Sequence, residues 1–197
     1  MRLPIQTERL ELREVRKDDL LAIHAFRSDA AVTRYMFFDP ETMEETSQHL
    51  DWLLATQACE PRRAWELAVV RSRDGQVIGG CDLNIEQRGE ADLGYILARR
   101  AWGHGYATEI ATELVDHGFR RLGLHRIFAT CDPDNAASRR VLRKAGLCFK
   151  GRIEQHRYTR GRWWSSELHA IGLERWTAER DGVRPDGSDE SIVKGRK

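Results

Sequence analysis

Residues 99–109 read RRAWGHGYATE, with Gly103 and Gly105 set on either side of a histidine at the start of a helical pattern. Inside a helix each glycine costs about 1 kcal/mol relative to alanine, so the pair serves something other than helix stability. Upstream, ADLGYILA (91–98) has the length and apolar content of a strand; downstream, ATEIATELVDHGFRRLG (107–123) has amphipathic helical spacing and stops at Gly123. The glycines therefore sit at a strand-to-helix junction. Free backbone N–H groups and the positive end of the helix make such a junction an anion site, and bare glycines let a phosphate approach closely. A connection shaped only by turn geometry accounts for this short pattern equally well.

Two phosphate-binding motifs are excluded directly. A Walker loop needs a lysine after its last glycine, and none follows here. The dinucleotide fingerprint G-x-G-x-x-G fails at its third glycine, which is Thr108.

The rest of the chain reads as one mixed α/β domain. RLELREV (9–15) alternates as a strand, KDDLLAIHAFRSD (17–29) is helical, and PETMEETSQHLDWLLAT (40–56) opens with Thr42 and Glu45 in capping-box spacing. WELAVV, VIGGCDLNI and ADLGYILA read as three strands joined by RDGQ and EQRGE hairpin connections. HRIFATC (125–131) is a strand, and DNAASRRVLRKAG (134–146) a helix capped near Asn135 and ended by Gly146. Two last strands, FKGRIEQHRY and SSELHAIGLERW, flank the turn region TRGRWW. The expected order is β-α-α-β-β-β-α-β-α-β-β: an α+β domain over residues 1–178, with about four helices on a mostly antiparallel sheet. The polar stretch 179–197 is expected to be a flexible tail.

Composition narrows the partners. Thirty-two Lys+Arg balance 31 Asp+Glu for a net charge of +1, which gives no general attraction to nucleic acid or membrane. No apolar run approaches the roughly 20 residues of a membrane span, and MRLPIQTERL lacks a signal-peptide core. The four cysteines (59, 81, 131, 148) form no C-x-x-C pair and the seven histidines no H-E-x-x-H. A reduced, cytoplasmic, metal-free protein is the expectation.

Arg100-x-x-Gly103-x-Gly105-x-Ala107 resembles the [Q/R]-x-x-G-x-[G/A] signature of the GNAT superfamily of N-acetyltransferases. With TERLELR, WGHGYATE, LGLHRI and DNAASRRVLRKAG around it, the chain resembles the Rim-type branch, which acetylates protein N-termini and related amines, over residues 7 to 176. The resemblance implies acetyl-CoA as cosubstrate and no metal. It places the pantetheine arm where the strand ending in YILA splays from its neighbour, with backbone groups of Leu97 and Arg99 beside it. The backbone amides from about Arg100 to Gly105, Trp102, Gly103 and His104 among them, would hold the pyrophosphate, and Tyr106, Ala107 and Ser138 are further cofactor-binding candidates. Asn135 would sit near the pantetheine, although a plain helix N-cap explains that asparagine as well. The side chains of Arg99, Arg100 and His104 are equally read as a solvated basic rim.

Acyl transfer from a thioester to an amine needs a neutral amine, a stabilised carbonyl oxygen and a proton for the departing thiolate. An α-amine has pKa ≈ 7.7–8.0 and lysine ≈ 10.4, so deprotonating lysine costs roughly 3–4 kcal/mol more. By resemblance Asp92 is the candidate base, with Glu90 as its substitute. The family's tyrosine acid, seven residues after the asparagine, is Leu142 here, and Ser138 in Asn135-x-x-Ser138 is the candidate to orient or protonate the sulfur. Each has a bland alternative: an exposed strand-end acid, and a helix serine bonded to backbone.

The acceptor side is less legible. QHRYTRGRWWSSE (155–167) mixes arginines with aromatics, as an RNA or acidic-peptide contact would, or as a hairpin whose tryptophans cover the sheet. RYMFFDP (34–40) is a second rim candidate. No dense acidic cluster is visible along the chain. The favoured acceptor is a protein or peptide N-terminal α-amine, with a ribosomal substrate as the one route to nucleic acid; a small-molecule amine follows. Rivals are a non-catalytic CoA-sensing or RNA-associated module, which Leu142 keeps open, and a nucleotide-binding module. A homodimer is a family-level expectation.

Overall fold

Alternation sets the strands. Residues 67–70 of the third strand, LAVV, are buried on both faces, so the sheet is a middle layer with helices on either side. The computed structural model describes residues 3–86 and 89–181. In chain order the strands are β1 (Ile5–Gln6), β2 (Leu10–Glu14), β3 (Ala64–Arg71), β4 (Gln76–Ile85), β5 (Glu90–Leu97), β6 (Arg126–Cys131), β7 (Cys148–Thr159) and β8 (Arg162–Gly172). The helices are α1 (Leu20–Arg27), α2 (Ala30–Thr33), α3 (Met43–Gln57), α4 (Tyr106–Leu122), α5 (Ala136–Lys144) and α6 (Leu173–Arg180).

The sheet order is β1-β2-β3-β4-β5-β6-β8-β7, with β5 and β6 parallel and every other pair antiparallel. One core joins Leu67, Val69, Ile78 and Leu83 of the sheet to Ile110, Leu114 and Phe119 of α4 and Leu142 of α5. The other joins Ala68, Val70 and Val77 to Ile23 and Phe26 of α1 and Leu50 and Leu53 of α3. Leu142, fully buried, belongs to the first core.

Local signals fix the helix ends. Thr42 and Glu45 form the expected reciprocal capping box on α3. Gly123 ends α4 at φ 64°, a left-handed cap that suits glycine. Asn135 Oδ1 accepts the Ser138 N–H at 3.0 Å and caps α5.

Two helices were not expected. One is α2, a single turn begun by Asp29, whose carboxylate accepts the Ala31 N–H. The other is α6, which replaces the end of the last strand: β8 stops at Gly172, and the chain that was expected to stay extended to Trp176 coils. The cause is tertiary. Trp176 packs on Phe119 of α4 at 5.3 Å between ring centroids, and its indole N–H donates to Asp116 Oδ1 at 2.7 Å. Arg180 reaches the other oxygen of the same carboxylate at 2.6 Å. Beyond Asp181 the expected tail lies outside the described residues, among which no helix is long and apolar enough to cross a membrane.

Candidate active site

The parallel pair is short. β5 and β6 are in register only from Glu90–Asp92 against Arg126–Phe128, yet β5 runs on to Leu97 and β6 to Cys131. The two strands therefore part beyond Asp92 and open a cleft in the middle of the sheet.

At the mouth of that cleft the glycine loop meets α4. Gly103 has φ 78° and Gly105 φ 80°, conformations that an L side chain adopts only under strain. The first α4 bond runs from Glu109 N–H to Gly105 C=O, so the amides of Tyr106, Ala107 and Thr108 start the helix without intrahelical acceptors. The loop is held from behind. Arg9 donates to the His104 carbonyl at 2.9 Å and to Glu109 Oε2 at 2.8 Å, and Glu109 also accepts from Thr7 Oγ1 (2.5 Å) and the Arg9 N–H (2.8 Å). Trp102 donates its indole N–H to the Leu97 carbonyl at 2.8 Å, folding the loop onto the strand end.

The side chains of the basic rim divide. Arg100 donates to the Val77 carbonyl at 3.1 Å, and Arg99 lies 3.5 Å from Asp29 although two-thirds exposed. His104 stacks near Tyr106, whose ring also lies under Arg9. These contacts shape the loop.

Ser138 sits on the α4–α5 face of the cleft. Its Oγ is 2.8 Å from the hydroxyl of Tyr95, which comes up from β5. Burial pushes the Tyr95 phenol well above its ordinary value, against the pull of its bond to Ser138. The sequence reading missed Tyr95. The missing tyrosine was sought on α5, where Leu142 is core. Alternation in ADLGYILA puts Tyr95 on the same face as Leu93 and Leu97, and that was the signal available.

Asp92 lies on the opposite face, where the cleft begins, and it has company. Cross-strand register puts Glu66 opposite Asp82 and Asn84 opposite Asp92, so these four polar side chains share one face of β3, β4 and β5. Asn84 Nδ2 donates to Asp82 Oδ2 at 2.9 Å. Burial raises the Asp92 carboxyl to about 6, offset partly by Arg157 and reinforced by Glu86. Burial likewise raises Glu66 and, more strongly, Asp82, with the neighbouring carboxylates adding to both shifts. A cluster that is not visible along the chain is thus assembled by the fold. Glu66, Asp82 and Asp92 are far apart in sequence, and only strand pairing gathers them. Glu90 is not in the row; it pairs with Arg126 at 3.0 Å.

The two aromatic stretches that were read separately meet over this face. Phe37 packs edge-on against His156 and under Arg157, and its carbonyl accepts from Thr159 Oγ1 at 2.9 Å. Arg160 pairs with Asp39 at 2.6 Å, so the β7–β8 hairpin is clasped to the α2–α3 loop. Trp164 is buried, with Arg160 and Arg162 over its ring, whereas Trp163 is more than half exposed.

A parted parallel strand pair, a glycine loop with free helix-start amides, and titratable groups on both faces of the gap make an arrangement suited to a phosphorylated acyl carrier. The matching family model is the acetyltransferase (GNAT) domain, over residues 9–147, and the chain belongs to that family of acetyl-CoA-dependent N-acetyltransferases. It is 31% identical over 160 residues to an N-acetyltransferase, p20, of Bacillus licheniformis, covering 80% of this chain and 89% of that one. It is 26% identical over 175 residues to the spermidine N(1)-acetyltransferase of Escherichia coli strain K12, covering 86% and 89%. The fold matches a GNAT acetyltransferase from Bacillus anthracis with TM-score 0.77 and 26% identity, covering 87% and 99%. It also matches RimL, a ribosomal L7/L12 α-N-protein acetyltransferase in complex with coenzyme A, with TM-score 0.75 and 23% identity, covering 88% and 99%.

Proposed function

We propose that the chain acetylates a primary amine that enters from the face carrying Asp92, with Asp92 as general base and the Ser138–Tyr95 hydroxyl pair on the leaving-group side. The observation that carries this reading is the position of Asp92, a half-buried carboxylate at the point where β5 and β6 part. Acetyl-CoA, when bound, supplies an activated acyl carbon and a thiolate leaving group. The fit to it rests on the free amides of Tyr106, Ala107 and Thr108 and the side-chain-free turns at Gly103 and Gly105, which would hold its pyrophosphate. The cleft walls next to Leu97 and Asn135 would take its pantetheine arm.

The residues act as follows. Asp92, at about 6, is unprotonated near neutral pH and accepts the ammonium proton of the acceptor. For an α-amine of pKa ≈ 7.7–8.0 that transfer is uphill by about 2 units, or roughly 3 kcal/mol; for a lysine-like amine at ≈ 10.4 it is uphill by more than 4. That difference favours an α-amine, the protein or peptide N-terminus. Ser138 Oγ, held by Tyr95, presents a hydroxyl proton toward the departing sulfur, and Tyr95 keeps that hydroxyl in one orientation.

The carboxylate row favours a second acceptor. Glu66 and Asp82, whose carboxyls are raised by burial and by their neighbouring carboxylates, would meet an additional positive charge on a polyamine. A mass-detected panel of N-terminal peptides, N-blocked lysine peptides and spermidine decides between the two. An α-amine acceptor gives product on free N-termini and an undiminished rate in Glu66→Gln. A polyamine acceptor gives product on spermidine and a KM that rises at least tenfold in that variant. In either case Asp92→Asn lowers kcat/KM by about 10²–10⁴. An unchanged rate in Asp92→Asn would remove Asp92 from the mechanism.

A further inference from the structure

On the α4–α5 face of the sheet, away from the carboxylate row, three residues of different chemistry converge. Cys131 ends β6, and its register partner on β8 is Glu167; His169 stands two residues further along β8 on the same face. A sulfur, a carboxylate oxygen and a ring nitrogen from these three lie within 4.8 Å of one another. Cys131 also bonds Ser138 on the cleft side, whereas Glu167 and His169 have no part in the proposed acetyl transfer.

His169 is the unusual member. It is 5% exposed, and neither ring nitrogen makes a hydrogen bond. A buried imidazole without partners carries the desolvation cost of its polar atoms, and such groups are rare in folded proteins. Its nearest polar neighbour is Glu167, with Nε2 3.5 Å from Oε2 and out of line for a hydrogen bond. The other oxygen of that carboxylate faces Arg139 at 3.6 Å. Phe149 closes one side of the ring edge-on.

We propose that Cys131, Glu167 and His169 form a binding site for a borderline-soft divalent cation, zinc first among them. One thiolate, one imidazole and one carboxylate make a donor set that zinc takes, with a fourth tetrahedral position left for water. Bond lengths of about 2.0–2.3 Å put adjacent ligand atoms about 3.4–3.6 Å apart; His169 Nε2 and Glu167 Oε2 already stand at 3.5 Å, and no pair in the cluster is more than 4.8 Å apart. On binding, the Cys131 thiol gives its proton to solvent and the sulfur bonds the metal, as coordination requires. Magnesium and calcium, which prefer all-oxygen shells, do not fit. Glu167 and His169 line a groove of about 1060 Å³ between α5 and α6, together with Arg139, Arg143 and Arg175. The guanidinium of Arg139 is a built-in competitor for Glu167.

The site is independent of the acceptor assignment, and it can be read without any turnover. Purified full-length protein is titrated with Co²⁺, a spectroscopic stand-in for zinc, and then with Zn²⁺ to displace it. The expected result is a thiolate-to-cobalt charge-transfer band that Zn²⁺ abolishes. The band is kept in Cys59→Ser, which changes an exposed cysteine, and lost in Cys131→Ser. His169→Gln weakens Zn²⁺ binding by about 10–100-fold, while Arg139→Ala strengthens it. Because substitutions at buried positions can unfold the chain, wild-type crystals soaked in Zn²⁺ give a second reading, an anomalous-difference peak among the three side chains. No band in the wild type, a band that survives in folded Cys131→Ser, or a peak elsewhere overturns the proposal. In that event His169 is a packing residue against Phe149.

Discussion

At the scale of single residues, the site depends on side chains whose chemistry is changed by where they lie. Asp92 is a strand carboxylate that burial raises to about 6. In the proposed role of base its deprotonated form is the competent one, so kcat/KM is expected to rise with pH through an apparent pKa near 6, and Asp92→Asn to remove that limb; pH–rate profiles of the two proteins test this. Tyr95→Phe removes the partner that orients Ser138, and the expected outcome is a lower kcat with little change in the KM for acetyl-CoA, measured by steady-state kinetics. Gly105 stands at φ 80°, so Gly105→Ala costs about 1–2 kcal/mol in stability. It also weakens CoA binding, by roughly tenfold or more if the loop amides turn away; calorimetry and thermal melts read the two effects separately. Gly103 and Gly105 were legible as special because glycine announces itself in a sequence. Tyr95 was not, because an aromatic in a strand reads as core until its partner on α5 is known.

At the scale of elements, the start of α4 is fastened to the first strands through Glu109. Burial pushes this carboxyl up, but hydrogen bonds from Thr7 and Arg9 outweigh it and hold the group below its ordinary range. The sign follows: a depressed acid contributes stability that is present above its unfolded pKa and lost as pH falls through the folded one. Glu109→Ala takes the acceptor from the half-buried Thr7 hydroxyl and the exposed Arg9 donors, and a loss of about 1 kcal/mol is expected from denaturant unfolding near neutral pH. The carboxylate row behaves in the opposite sense. Burial raises all three carboxyls, so each opposes folding as pH climbs from its unfolded range through its folded one; for Asp92 stability falls as pH climbs from about 4 through 6. Asp82→Asn is therefore expected to raise Tm at pH 7.5, where the crowding is felt most. The capping boxes, the α4 pattern and the Asn135 cap were readable locally; α6 was not, because its helix is held by Trp176 and Arg180 on a carboxylate of α4.

At the scale of the whole molecule, the sheet divides the labour between its two faces. The glycine loop, Asn135 and the Ser138–Tyr95 pair lie toward α4 and α5, and the carboxylate row lies toward α1 and α3. The cleft between β5 and β6 connects them. The clasp of Arg160 on Asp39 joins loop 34–42 to the β7–β8 hairpin, on the side proposed for the acceptor. Arg160→Ala is expected to raise the KM for the acceptor severalfold while leaving CoA affinity unchanged, since the clasp touches no part of the glycine loop.

The sequence by itself determined the glycine junction, the order of most elements and the family, because turn geometry, periodicity and a contiguous loop are all encoded within a few neighbouring residues. It also identified Asp92, Asn135 and Ser138 as candidates. Only the tertiary structure brought Glu66, Asp82 and Asp92 into one row, joined Tyr95 to Ser138, and set Cys131 beside Glu167 and His169. Those groupings depend on strand register between segments tens of residues apart, and a one-residue slip would send each side chain to the other face. The acidic row and the sulfur–nitrogen–oxygen cluster have no signature along the chain because pairing, not spacing, creates them.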